Sequence, residues 1–485
     1  MKVGIIGSGI AGISTAIRLA RKGYNVTVFE ANNYLGGKLS NIEMNGFRFD
    51  AGPSLFTLPH LIDELTPATQ FEYKRLDTIC NYFWDDGTQF SCFDDKECLK
   101  EEIENKLNVS SEPFFKYLNN IDFTYNRIGE IFLEKSLHKK DTWLNKDTFK
   151  AFLPMHKYSV ASNLNAVNHK KLNHPKLTQL FNRFATYNGS SPYKAPGILK
   201  VIPHLELNKG AFFPLKGMHS ITNALVNEAE NLGIVFKLNE KVEEINIKDK
   251  KATGLKTVNG NYFFDKVVSN MDVYYTFHKL LNQQQIKIPQ KKLKQERSSS
   301  AIIFYWGIKK EFKELDVHNI FFSNNYKEEF DYLFHKKDNF NDPTVYVHIS
   351  SKLNKADAPV GCENWFTMIN VPSNQGQDWD KIIKTARENI IKKLSHNLKT
   401  DVSKLIVCED ILEPRTIDSK TKSYQGSLYG TSSNSKFAAF LRHPNFSKDI
   451  KDLYFCGGSV HPGGGIPLAV LSSKIVAEEF KDLNA

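Results

Sequence analysis

Apolar positions along this chain follow two rhythms, and the points where one gives way to the other outline its elements. Residues 2–6 (Lys-Val-Gly-Ile-Ile) and 25–29 (Asn-Val-Thr-Val-Phe) are short, β-branched runs, and between them residues 13–20 place apolar side chains at helical spacing up to a break at Gly23. The first thirty residues therefore predict strand, turn, helix, strand. From about 100 to 200 the pattern is amphipathic and mostly helical. Residues 217–233 read as a helix closed by Gly233, and 235–238 and 241–247 as strands. Residues 252–258 and 261–264 read as a hairpin about Asn259-Gly260, and 267–272 as a strand ending in a polar turn. Four runs dense in β-branched and aromatic side chains, 301–306, 319–322, 344–349 and 364–369, predict a further sheet. Near the end, 452–456 reads as a strand, a glycine cluster follows, and 468–480 reads as a helix.

The turn after the first strand, Gly7-Ser8-Gly9-Ile10-Ala11-Gly12, carries chemistry. Gly7 can take the sharp bend, Gly9 lets a pyrophosphate approach the backbone, and Gly12 lets helix and strand pack closely. The free N–H groups and dipole of the helix N-terminus attract the phosphates. Glu30, followed by Ala31, ends the second strand where a carboxylate reaches a ribose hydroxyl. Two additions suit FAD better than NAD. Gly36-Gly37-Lys38-Leu39 offers bare backbone with a cation for phosphates, and Gly52-Pro53-Ser54 is another small-residue turn after a strand. Val242 falls where an adenine could rest, and Asn270 sits in the polar turn after 267–269. Gly457, Gly458, Gly465, Ile466 and Pro467 supply a last glycine-rich turn between strand and helix, able to face a flavin ring.

Composition narrows the picture. The chain has 485 residues, enough for two or three domains, and no run approaches the roughly 20 apolar residues of a membrane span. The N-terminal apolar run is too short for a signal peptide, so a cytoplasmic protein is expected. Six cysteines without CxxC or metal-ligand spacing predict reduced, structural thiols and no metal. The net charge of +10 is concentrated: residues 134–210 hold thirteen basic and four acidic side chains. Trp143, Leu144, Phe149, Phe152, Leu153, Met155 and Tyr158 are interleaved there. This segment is either a solvated basic face or a face docked on anionic lipid; no nucleic-acid module accompanies it.

These motifs resemble the carotenoid desaturases of the bacterial phytoene desaturase type, within the FAD amine oxidase-like flavoproteins. The resemblance rests on Gly7–Gly12 with Glu30, Gly36-Gly37-Lys38, residues 49–54, 213–218 and above all 454–467, with its Gly-Gly-Ser-x-His-Pro-Gly-Gly-Gly run. Amine oxidases commonly carry Gly-Asp where this chain has Gly457-Gly458. Residues 184–196 (Phe-Ala-Thr-Tyr-Asn-Gly-Ser-Ser-Pro-Tyr-Lys-Ala-Pro) are similar to the 1-hydroxycarotenoid 3,4-desaturases. Leu215-Lys216-Gly217 departs from the paired glycines relatives often have there. The resemblance implies an α/β fold with a Rossmann-like FAD-binding domain of the glutathione reductase/amine oxidase type. It also implies an antiparallel-sheet substrate domain and a helical, membrane-facing lid. The expected divisions are 1–75, 211–290 and 425–485 for FAD, 76–99 and 291–424 for substrate, and 100–210 for the lid.

The implied activity is FAD-dependent introduction of a double bond into an acyclic carotenoid by hydride transfer to flavin N5, with a quinone or dioxygen as acceptor and peripheral attachment to the membrane. Alternatives are a phytoene or diapophytoene desaturase, an isomerase or oxygenase relative, an amine oxidase-like flavin oxidase, and a non-catalytic carotenoid-binding flavoprotein. His461 is the best-placed titratable side chain, with Glu206 and His204 in the substrate half; no catalytic base is assigned.

Overall fold

The computed structural model describes residues 1–66, 71–282, 288–435, 438 and 440–484. One sheet is wholly parallel, in the order Leu453–Phe455, Lys266–Ser269, Lys2–Ile6, Asn25–Phe29, Val235–Lys237. Its central strand Lys2–Ile6 is buried beyond Lys2, which is why it reads as a continuous apolar run, whereas the edge strand Val235–Lys237 is partly exposed. The helix Ile10–Arg21 starts immediately after Gly9, three residues ahead of the expected position, and packs against Ile466–Ala477 and His219–Asn231. Ile13, Ala16, Ile17, Leu225, Val470 and Val476 fill the space between them. An antiparallel unit, Val242–Lys248, Lys251–Thr257 and Gly260–Phe263, adjoins this layer, with its tight turn at the expected Asn259-Gly260.

The second large sheet has seven strands, in the order Ile406–Leu412, Ser300–Ile308, Glu363–Val371, Val345–Ile349, His318–Phe321, Thr78–Phe83, Gln89–Phe93. It departs from the expected fully antiparallel pattern at one seam, where Thr78–Phe83 runs parallel to His318–Phe321. Those two strands are far apart in sequence, so no hairpin sets their relative direction. Side chains alternate across the sheet. Ile302, Phe304, Trp306, Val345, Val347 and Trp365 pack with the helix Trp379–Asn397, while Ile303, Tyr305, Tyr346, Phe366 and Met368 face the other way.

Residues 96–207 are mostly helical, led by the long helix Glu112–Glu134 and including Lys140–Trp143, Lys146–Phe152, Leu164–Leu172 and Pro175–Arg183. Among the described residues no helix is long and apolar enough to cross a membrane. The fold is thus the expected α/β architecture, a parallel nucleotide-type sheet joined to a larger, mostly antiparallel one.

Candidate cofactor and substrate cavity

Three glycine-bearing turns meet around Asn270. The Asn270 N–H donates to the Ile6 carbonyl (2.8 Å) at the end of the first strand. A Cβ on Gly9 would come within 2.7 Å of its Nδ2, and a Cβ on Gly457 within 2.8 Å of its Oδ1. Gly36 donates from its N–H to the Ser8 carbonyl (3.0 Å), bringing the second turn onto the first. Gly12 packs the helix down: a Cβ there would lie 2.2 Å from the Gly7 carbonyl oxygen. Ser8 is fully buried and donates from both N–H (3.0 Å) and hydroxyl (2.7 Å) to one Glu30 oxygen; the other accepts from Asn32. Ser8 therefore aims Glu30. Gly9 caps the helix Ile10–Arg21 with no side-chain acceptor, so its first N–H groups are left for a ligand.

These turns open onto one continuous cavity of about 1260 Å³. Of the expected cofactor residues, Gly7, Gly9, Ile10, Ala11, Glu30, Ala31, Gly36, Gly37, Lys38, Leu39, Gly52, Pro53, Ser54, Val242, Asn270, Gly457, Gly458, Gly465, Ile466 and Pro467 line it. Ser8 and Gly12 lie behind the wall. The cradle fits a dinucleotide: bare glycine backbone, an uncapped helix start and a braced carboxylate converge where side chains would leave no room. Lys38 is placed differently from its expected role. Its ammonium donates to the carbonyls of Leu428 (3.0 Å) and Ser427 (3.5 Å), and burial lowers it to about 8. It joins the cofactor turn to the segment 427–428.

Beyond the turns the floor of the cavity is the alternating face of the large sheet: Ile303, Tyr305, Tyr346, Phe366 and Met368. Tyr305 donates to the Ala51 carbonyl (2.6 Å), and the Tyr346 hydroxyl meets Ser54 (2.8 Å) and His318 Nδ1 (2.7 Å). The floor is thereby fixed to the Gly52-Pro53-Ser54 turn. The roof is apolar: Ile128, Phe132, Leu133 and Leu137 from the helical region, and Phe440.

His461 lies on the wall, with its Nε2 at 2.9 Å from the Lys135 carbonyl; burial pushes it down to about 4, so its imidazole is neutral. His204 is not on the wall; it stacks on Tyr125, 4.3 Å between ring centroids. Glu206 is on the wall, ion-paired with Arg183 at 2.9 Å and bonded to the Tyr187 hydroxyl. Sequence reasoning passed over Arg183, Tyr346, His318 and Glu329. None belongs to a sequence motif, and only the fold brings each to the cavity.

Glu329 gives a testable pH effect. Its carboxyl accepts from the Thr344 N–H (2.9 Å) and hydroxyl (2.7 Å), yet burial raises it from 4.5 to about 7. The unfolded chain releases this proton near 4.5, the folded protein only near 7. Stability from this group therefore falls as pH rises through that window, by about 3 kcal/mol in all, and is level above it. Glu329→Gln should flatten the thermal midpoint against pH between about 5 and 7. An unchanged slope would show that Glu329 does not titrate there.

A parallel sheet whose helix N-terminus and glycine turns frame a dinucleotide cradle, open to an apolar cavity over a second sheet, defines a flavoprotein oxidoreductase. The model of the flavin containing amine oxidoreductase family matches residues 10–480, and this chain belongs to that family. It is 51% identical, over 99% of both chains, to a 1-hydroxycarotenoid 3,4-desaturase of Flavobacterium sp. (strain P99-3). It is 31% identical to a 4,4'-diaponeurosporene oxygenase of Staphylococcus aureus (strain MSSA476), over 98% of this chain and 97% of the relative. Among solved structures, wild-type putrescine oxidase bound to putrescine superposes with a TM-score of 0.63 at 13% identity, over 99% of both chains. An oxidoreductase from Methanosarcina mazei gives 0.62 at 14%, over 99% of this chain and 100% of the other. The cofactor is FAD.

Proposed function

We propose that this protein introduces a double bond between C3 and C4 of an acyclic carotenoid that carries a hydroxyl at C1, and that it works while attached peripherally to a membrane. The observation that carries this reading is the continuity of the cavity. The cofactor cradle, the aromatic floor and an apolar roof enclose one space, suited to a long, flat hydrocarbon. The 51% identical relative bears the name of that activity.

FAD, when bound, supplies a two-electron acceptor at its N5. The chain's own part is placement and exclusion. Gly9, Gly36 and Gly457 hold the cofactor, and Tyr305 and Ser54 tie the floor to its turn. Phe366, Met368 and Ile303 keep water from the reacting carbons. The net change would be loss of a hydride to the bound FAD and of a proton, ultimately to solvent, from adjacent substrate carbons, leaving a double bond that extends the conjugation. A quinone or dioxygen takes the electrons away.

Access from lipid is supported by what lies above the roof. Phe132, on the cavity wall, packs on Phe152 (5.9 Å between ring centroids), which packs on Trp143 (5.8 Å). Leu144, Phe149 and Leu153 project beside them, each at least two-thirds exposed, among Lys140, Lys146 and Lys150. Apolar side chains ringed by lysines form the pattern of a surface that enters a lipid interface.

The test is turnover in liposomes of matched acyclic carotenoids with and without a C1 hydroxyl. The hydroxylated compound should gain one conjugated double bond, shifting its absorption to longer wavelength, at least about tenfold faster. Equal turnover of both would overturn the substrate assignment; turnover of neither would overturn the activity.

A further inference from the structure

The wall of this apolar cavity contains a buried ionic cluster. Arg183, only 6% exposed, donates to the Glu206 carboxylate (2.9 Å), the Tyr187 hydroxyl (2.6 Å) and the Tyr82 hydroxyl (2.8 Å). Tyr187 in turn donates to the second Glu206 oxygen. Arg183, Tyr187 and Glu206 all line the cavity, and Tyr187 keeps part of its surface open. Burial would lower the guanidinium, but Tyr187, Tyr82 and Glu206 more than offset it and hold Arg183 well above its ordinary value.

A buried ion pair is weak evidence for stability, because desolvating two charges consumes most of the attraction between them. Its hydrogen-bonding capacity says more. Tyr187 uses its proton on Glu206 and one lone pair on Arg183, leaving one lone pair. Each Glu206 oxygen accepts one bond in this cluster and can accept another. Tyr187 and Glu206 therefore offer free acceptors, and the buried Arg183 Nε–H, which has no partner, offers a donor beside them, a combination that suits a ligand able to donate and to accept, as an alcohol does.

Its position suits the proposed reaction. C1 is two bonds from C3, so whatever holds a C1 hydroxyl must lie beside the reacting carbons and hence beside the cofactor turn. Tyr82 sits opposite Ile320 in the sheet, and Ile320 and His318 both line the cavity. His318 reaches Ser54 of that turn through Tyr346. Tyr187 also falls within residues 184–196, the segment whose role the cofactor site leaves unexplained.

We propose that Tyr187 and Glu206, held by Arg183, form the subsite that accepts a hydrogen bond from the substrate's tertiary hydroxyl and so sets which C–C bond faces the flavin. This rests on the hydroxycarotenoid reading above. Acceptors on Tyr187 and Glu206 distinguish an alcohol from its methyl ether, whose oxygen can still accept from Arg183 Nε–H but which has no proton to give.

The experiment compares kcat/KM for the C1 alcohol, its methyl ether and the unhydroxylated carotenoid, using FAD-loaded wild-type protein and Tyr187→Phe in liposomes. Wild type should favour the alcohol over both others by about tenfold or more, and Tyr187→Phe should shrink that preference by about tenfold. Wild-type preference for the alcohol that persists in Tyr187→Phe, or a methyl ether handled as well as the alcohol, overturns the subsite alone. Absence of any wild-type preference between alcohol and hydrocarbon overturns the substrate reading beneath it. Flavin content reports folding; should Tyr187→Phe fail to retain flavin, Glu206→Gln, which keeps the shape and halves the acceptors, decides by the same ratio.

Discussion

Replacing Gly9 with valine is expected to give a folded protein that carries no flavin. The backbone at Gly9 has φ −62° and ψ 164°, which a β-branched residue adopts without strain. The added Cβ would stand 2.7 Å from the Asn270 amide nitrogen, and its methyl groups would enter the space before the uncapped helix start. The collision is with the tip of a side chain, which can move; the lost volume is what the pyrophosphate needs. Flavin absorbance of the purified protein should fall by about 100-fold or more per mole while the far-ultraviolet circular dichroism is kept. Gly12→Ala is the contrast. Its Cβ would lie 2.2 Å from a backbone oxygen, so it should destabilise the fold itself, with loss of soluble protein. A Gly9→Val protein retaining stoichiometric flavin would place the cofactor elsewhere.

Serine at Leu144, Phe149 and Leu153 together should reduce binding to anionic vesicles by about 100-fold or more, since each such side chain contributes about 1.5–3 kcal/mol when fully buried and these bury only in part. Gln at Lys140, Lys146 and Lys150 should remove the salt-sensitive share, about 1 kcal/mol for each lysine near the lipid. The five lysines from 139 to 157 read as one basic set in the sequence, but they are not equivalent. Lys139 is ion-paired with Glu479 at 2.7 Å, and Lys157 lies over the Phe123 ring. Sedimentation of both variants with vesicles checks this; undiminished binding of the triple serine variant would remove the lipid-facing role of this patch.

What the sequence made legible was local. The strand-turn-helix-strand unit at the start, the hairpin at Asn259-Gly260 and the four aromatic strands are each set by short-range periodicity and turn chemistry, and they stand within a few residues of their expected limits. The glycine turns were legible because bare backbone beside a helix start has few other uses. What stayed hidden depends on distant pairings. The parallel seam between Thr78–Phe83 and His318–Phe321 leaves no periodic mark. Lys38 looked like a phosphate ligand because its partners, the carbonyls of Ser427 and Leu428, are almost four hundred residues away in sequence. Arg183 and Glu206 pair across 23 residues with no motif to announce them.

The sheet beneath the cofactor draws its first strand from residues 2–6 and its last from 453–455, and the helix 466–477 closes over both. The nucleotide cradle therefore cannot be complete until residues 453–467 have been made. Cofactor binding is expected to follow synthesis of that distal strand and turn rather than precede it. A chain interrupted before Leu453 would lack a strand of this sheet and the turn carrying Gly457, Gly458 and Gly465, and is expected to bind no cofactor.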